Sequence, residues 1–255
     1  MTIKAVDHGY STLFATSDNR VENEIRALDA FQGRRVDGIL IYPTDHRRLD
    51  HIERLGKFRL PAVLLASPPS ASLHAVRLNE RRGGRDATRH LIALGHTKIA
   101  LIDSGHSMGN DEKLAGYLEA LGEAGISSDQ DLIATVTGYS PDLGSRSMDK
   151  LMSTSLPPTA VFASNDAFAF GVMEWCRKLG LSVPHDISVI GFDNIEFAAY
   201  AAIPLTTVGY DPPRLATLAV KRLLSLIESP DVPHARLQEE IEPEIVVRSS
   251  TDILR

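Results

Sequence analysis

The chain has 255 residues, of which 43% are hydrophobic and 24% charged. That is ordinary globular composition, sized for one large domain or two small lobes with a substantial core and no need of a disulfide or structural metal. The net charge of −6 argues against this chain gripping DNA by itself, because neutralising phosphates supplies most of such affinity. The lone Cys176 excludes an internal disulfide and fits a reducing compartment. No run is long and apolar enough to span a bilayer. The opening MTIKAVDHGY lacks the apolar core of a signal peptide, so a cytoplasmic protein is expected.

In chain order, Thr2 to His8 reads as a helix fragment that runs straight into a strand, TLFAT (12–16). Val21, Ile25, Leu28 and Phe31 then recur at helical spacing until Gly33. Strands GILIYP (38–43), AVLLAS (62–67) and AVRLN (75–79) follow. The next helix opens at Gly83-Gly84, carries Thr88, Leu91, Ile92 and Leu94, and is capped by Gly95. Strands KIALID (98–103), LIATVT (132–137) and AVFAS (160–164) lead to a helix over 166–179, striped by Phe168, Val172, Trp175, Cys176 and Leu179 and closed by Gly180. Trp175 and Cys176 read as core. SVIGF (188–192) and TTVGY (206–210) precede a long helix on Leu215, Leu218, Ala219, Leu223 and Leu226, then RLQEEI (236–241) and EIVVR (244–248).

Most of these strands are apolar throughout, as in parallel strands buried on both faces. Repeated strand–helix–strand units imply right-handed crossovers and an α/β fold of doubly wound parallel sheets. No linker or internal repeat is visible, so two lobes would be joined by short strand crossings. The basic clusters His46-Arg47-Arg48 and Arg81-Arg82-Arg85 read as solvated helix faces.

No nucleophile elbow, P-loop or zinc motif is present, and Gly83-Gly84 does not make a dinucleotide fingerprint. The nine histidines show no metal spacing. The reading is a non-enzyme without cofactor or metal. In open α/β sheets ligands sit outside the carboxyl ends of strands, which selects several residues. Asp193 follows the apolar run Ile187–Phe192, where a carboxylate either accepts two hydroxyl hydrogen bonds or caps the next turn. Asn165 and Asp166 follow Ala160–Ser164 and open a helix, where Asx residues are usually caps. Tyr139 follows Ile133–Thr137, and its ring could serve as a platform for a ligand or lie on the surface. Asn79 follows Ala75–Leu78 and could donate to or accept from a hydroxyl.

Five stretches, in order and with family-like spacing, resemble the lactose-repressor/galactose-repressor (LacI/GalR) family of bacterial transcription regulators. They are GYSTLFATSDNRVENEIRALDAFQGRRVDGILIYP (9–43), RRGGRDATRHLIALGHTKIALID (81–103), EKLAGYLEALGEAGI (112–126), PPTAVFASNDAFAFGVMEWCRKLGLSVPHDISVIGFDNIEFAAYAAIPLTTV (157–208) and EPEIVVRSS (242–250). The resemblance implies an effector domain of the periplasmic-binding-protein-like type I fold, two lobes with the ligand between them. Lobe one would be 1–96 plus 209–235 and lobe two 97–208 plus 236–255. Crossings would fall near His96–Lys98, Thr207–Tyr210 and Arg236.

The resemblance also implies a small sugar-like effector, a homodimer, and operator DNA reached only through an N-terminal helix-turn-helix that this chain lacks. The first strand of lobe one is expected to be missing with it. By the same resemblance Asp193, Asn165 and Tyr139 contact effector. Lys113 stands where the family usually has an arginine, a point charge replacing a planar fork, unless it is simply solvated. Asn79 stands where aspartate is frequent, and Tyr210 lies at a crossing where many members have a polar contact. Two other readings remain open: the sugar-binding protein of an importer, and a truncated remnant without function.

Overall fold

The computed structural model describes residues 6–45, 48–55, 60–66, 73–105, 108–229 and 237–254. Its elements in chain order are α1 (Val21–Gly33), β1 (Ile39–Ile41), α2 (Asp50–Glu53), β2 (Ala62–Leu64), β3 (His74–Leu78), α3 (Glu80–Ala93), β4 (Ile99–Asp103), α4 (Met108–Glu123), β5 (Ile133–Thr135), α5 (Pro141–Leu151), β6 (Ala160–Ala163), α6 (Asp166–Lys178), β7 (Ser188–Phe192), β8 (Thr206–Gly209), α7 (Pro212–Glu228), β9 (Gln238–Ile241) and β10 (Glu244–Val246). Short 3-10 turns lie at Gln130–Leu132 and Glu196–Ala199. The chain divides into two units: Met1–Leu78 with Asp211–Ile241, and Asn79–Tyr210 with Glu242–Arg255.

The first unit holds a parallel sheet in the order β1-β2-β3-β9. Its core joins Leu28 of α1 and Ile52 of α2 to Ile39, Ile41, Ala62, Leu64 and Ala75 of the strands. Helix α7 packs against β1, β2 and β3. The predicted strand 12–16 is not a strand here. Residues 11–16 are exposed, with Leu13 47% and Phe14 71% accessible, and none joins a ladder. A strand exists only through its neighbour's hydrogen bonds, and among the described residues this segment has no such neighbour. Of the predicted helix at Thr2–His8, residues 2–5 lie outside the described residues; Val6–Gly9 is a turn closed by a 2.9 Å bond from the Gly9 N–H to the Val6 carbonyl.

The second unit holds six strands in the order β10-β8-β7-β6-β4-β5, parallel except for β10, which is antiparallel to β8. Alternation along the strands sorts the two faces. Ala100, Ile102, Val161, Ala163 and Val189 pack with Met148 and Leu151 of α5 and Phe168, Val172, Trp175 and Cys176 of α6. The buried Trp175 donates its indole N–H to Asp149 Oδ1 at 2.7 Å. The opposite face is met by α3 and α4.

The units divide at other points than the lobes expected from sequence. The first falls at Leu78/Asn79 rather than near His96, and the last at Ile241/Glu242 rather than near Arg236. Helix α3 belongs with the second unit because it packs along α4, and β9 belongs with the first because it pairs with β3. Periodicity locates a helix, but which sheet it covers is decided by the partner its apolar face meets. The Arg81, Arg82 and Arg85 cluster lies on the outer part of α3, paired with Glu119, Glu242 and Asp86. In the cluster His46-Arg47-Arg48, residues 46 and 47 lie outside the described residues.

Candidate ligand-binding site

The carboxyl ends of the parallel strands in the second unit carry a row of polar residues. Asp103 closes β4, Asn165 follows β6, Asp193 follows β7, Tyr210 follows β8, and Tyr139 lies four residues beyond β5. The ladder register sets Asp103 level with Thr135 on one side and, one step past the Ile102–Ala163 pair, with Ser164 on the other. Doubly wound sheets place their ligands at this edge.

Asp193 sits in a left-handed backbone conformation, φ 103°, held by a 2.8 Å bond from its N–H to the Val208 carbonyl. For a non-glycine residue that is a strained position, of the kind concentrated at functional sites. Loss of water around the carboxyl lifts its pKa to about 6, against the pull of the Lys113 ammonium and with the push of Glu80. The side chain nevertheless stays exposed, so water screens part of this effect.

Lys113 is not a solvated lysine. Its side chain is buried, its Nζ lies 3.4 Å from Glu80 Oε1, and it stands 4.1 Å from the centroid of the Phe192 ring. Tyr210 belongs to the same neighbourhood: burial raises its hydroxyl pKa, and the charges of Asp193 and Glu80 raise it further. Lys113 and Glu80 thus act on Asp193 through their charges, and Asp193 and Glu80 act on Tyr210.

The two asparagines act as helix caps. Asn79 Oδ1 accepts the Arg82 N–H at 3.1 Å and its amide donates to Glu242 at 3.4 Å. Asn165 Oδ1 accepts the Phe168 N–H at 2.8 Å. Asp166 is fully buried and structural, accepting the Ile195 N–H at 2.8 Å and the Thr207 hydroxyl at 2.5 Å. Burial pushes its pKa up to about 6, although both hydrogen bonds oppose the shift. Tyr139 is 48% exposed, and no hydrogen bond or ion pair among the described residues ties it to the Asp193–Lys113 group.

Sequence reasoning missed Asp103. Its Oδ2 accepts the Gly105 N–H at 3.1 Å, while Oδ1 is sealed from solvent and has no partner among the described residues. Ser164 Oγ, on the neighbouring strand end, is in the same state. Burial raises the Asp103 pKa, with Lys113 pulling it down and Asp111 pushing it up. The available signal was a carboxylate closing the apolar run KIALID, the pattern that marked Asp193 after SVIGF. Among the described residues no group of three His, Cys, Asp or Glu could hold a metal ion, and no helix is long and apolar enough to cross a membrane.

Residues 88–251 match the family model described as a periplasmic binding protein-like domain. The chain is 34% identical over 251 residues to the HTH-type transcriptional repressor PurR of Vibrio atlanticus, covering 96% of this chain and 73% of that protein. It is 32% identical over 256 residues to the HTH-type transcriptional regulator DegA of Bacillus subtilis, covering 98% and 74%. Among solved structures, it is similar to a LacI family transcriptional regulator from Enterococcus faecium with bound ribose: TM-score 0.86, 28% identity, 99% of this chain and 91% of that one. A transcriptional regulator CelR–cellobiose complex gives a TM-score of 0.87 at 27% identity, over 98% and 76%.

Proposed function

The chain belongs to the LacI/GalR family of transcriptional regulators and is an effector-binding module of that family, and we propose that its effector lies against the carboxyl edge of the six-stranded sheet. The observation that carries this is the coupling of Asp193, at a strand tip, to the buried Lys113 of α4 on one hand and to Tyr210, at the next strand tip, on the other. Asp193 is the principal acceptor, its strained backbone holding the carboxylate where two ligand hydroxyls reach it. Lys113 supplies a charge-assisted donor and Tyr210 a hydroxyl. Tyr139 offers an exposed ring for the face of a sugar. Asn79 and Asn165 spend their carbonyl oxygens as caps, so their contribution is made through the amide nitrogens.

The neighbours solved with ribose and with cellobiose support a sugar-like ligand. Regulation requires that the ligand bind one conformation of the module more tightly than another. The output is operator binding through a helix-turn-helix domain, in the cytoplasm, as the naming of the curated relatives supports. Their naming as regulators sets the importer reading aside. Dimerisation is supported by Ile195, Phe197 and Tyr200, which leave 39%, 73% and 78% of their surfaces exposed on and beside one short turn of the second unit.

The test is thermal denaturation of the purified chain with pentoses, hexoses, disaccharides and nucleobases. A ligand at a hundred times its Kd adds about 2.7 kcal/mol of stability, a rise of several degrees. Asp193→Ala is expected to abolish that rise. A cooperative melt that no member of the panel moves overturns the proposal.

A further inference from the structure

Resting on that reading, the charges at the site point to the class of effector. Among the described residues, Lys113 is the cation whose charge acts on Asp103 and Asp193, and its ammonium is engaged by Glu80 at 3.4 Å and by the Phe192 ring. Two further carboxylates, Asp103 and Asp193, feel the same ammonium. The neighbouring arginines are occupied elsewhere: Arg81 and Arg85 pair with Glu119, and Arg248 donates to Asn194 Oδ1 and to the Leu205 carbonyl. Three carboxylates therefore share one lysine.

The deficit is written into the hydrogen bonds as well. Asp103 is 4% and Ser164 1% exposed, yet Asp103 Oδ1 and Ser164 Oγ, on adjacent strand ends, have no partner among the described residues. A buried carboxylate oxygen without a donor keeps a negative potential and costs stability until positive charge approaches. A phosphate or carboxylate on the ligand would meet repulsion from these carboxylates. A neutral sugar would leave the excess uncompensated.

We propose that this edge selects an effector bearing a protonated amine on a small polyhydroxylated frame, of amino-sugar type, with the ammonium against Asp193 and with Asp103 setting the preference from beneath the site. Asp103 is a specificity-determining residue in this account. It acts through its charge, and its sealed Oδ1 needs no contact with the ligand.

The test is calorimetric titration of the full chain with glucosamine, galactosamine and mannosamine, each beside its N-acetyl derivative and its neutral hexose. The expected result is that one amino sugar binds about tenfold or more tightly than its own N-acetyl and neutral analogues. Asp103→Asn is expected to remove most of that margin while leaving the neutral analogue within about twofold. Because Asp103→Asn could fold poorly, Lys113→Gln provides the opposite sign: removing the resident cation widens the margin. Neutral hexoses that bind as tightly as amino sugars overturn this inference and leave the effector reading intact. A panel in which nothing binds overturns this inference, and the effector reading is then decided separately by the wider thermal panel. A margin unchanged in either folded variant removes Asp103 and Lys113 from the account.

Discussion

Asp166 and Asp193 are carboxylates at neighbouring strand ends with similar raised pKa values, and they separate structure from function. Asp166 holds two donors in a fully buried position. Removing it orphans the Ile195 N–H and the Thr207 hydroxyl, so Asp166→Ala is expected to cost about 2–4 kcal/mol by chemical denaturation. Its folded pKa of about 6 lies above the ordinary 3.8, so folding favours the neutral acid. That contribution is complete below the ordinary value and is lost as pH rises through about 6. The melting temperature should accordingly rise on acidification from about pH 7 to about pH 5, and Asp166→Asn should flatten the rise. Asp193 bears a strained φ of 103°. Asp193→Gly relieves that strain, so stability is expected to hold or increase by up to about 1 kcal/mol while ligand binding is lost. A glycine variant that melts early and still binds would reverse the assignment. Sequence made the division between Asn165 and Asp166 only in part. It names Asn165 and not Asp166 as a ligand contact, but it could not show that the Asn165 oxygen is consumed by the Phe168 N–H, since capping and ligand contact use the same residue type at the same helix start.

At the scale of elements, the placement of Lys113 depends on how closely α3 and α4 approach. A Cβ added at Gly84 would meet the Lys113 backbone, at 2.8 Å from its Cα, and one at Gly116 would lie 2.6 Å from the Arg85 nitrogen. Backbone cannot move aside as a flexible side chain can. Gly84→Ala is therefore expected to cost about 1–3 kcal/mol and, by displacing Lys113 from Glu80 and Phe192, to weaken effector binding as well. Titration of the folded variant checks the second effect separately from the first. Gly83-Gly84 was visible in the sequence as a helix opening, but the reason for two adjacent glycines was not. It lies in two different neighbours: the α4 backbone at Gly84, and the Phe192 ring, 2.7 Å from where a Cβ on Gly83 would stand. The family resemblance puts the lobe boundary near His96, whereas the contact units divide at Leu78, because α3 packs along α4. Strands fared better. SVIGF matches β7 residue for residue, and KIALID and AVFAS contain β4 and β6, because wholly apolar runs of this length are what a sheet covered on both faces demands.

Across the whole chain, the two units differ in how well their strands are enclosed. In the second unit β6 and β7 are buried along their length and flanked on both sides by ladders. In the first, β1 is three residues long and lies at the edge of its sheet. The apolar segment TLFAT, which has the composition of a strand, lies exposed and unpaired with Leu13 and Phe14 open to solvent. Strand propensity alone does not fix a segment, since what it measures is fit to a pleated, half-buried surface. Opening free energy follows the same logic, rising with buried apolar contact and with ladder bonds kept from water. Hydrogen exchange should therefore be fastest over residues 10–16, intermediate at Ile39–Ile41, and slowest over Ala160–Ala163 and Ser188–Phe192. Phe14→Ser should lower the binding of a hydrophobic dye without lowering the melting temperature, because the ring it removes is 71% exposed and supports no core. If residues 10–16 exchanged as slowly as β6, the segment would be a paired strand in solution. Its exposed rings would then be part of a folded layer, and the same serine substitution would destabilise the first unit.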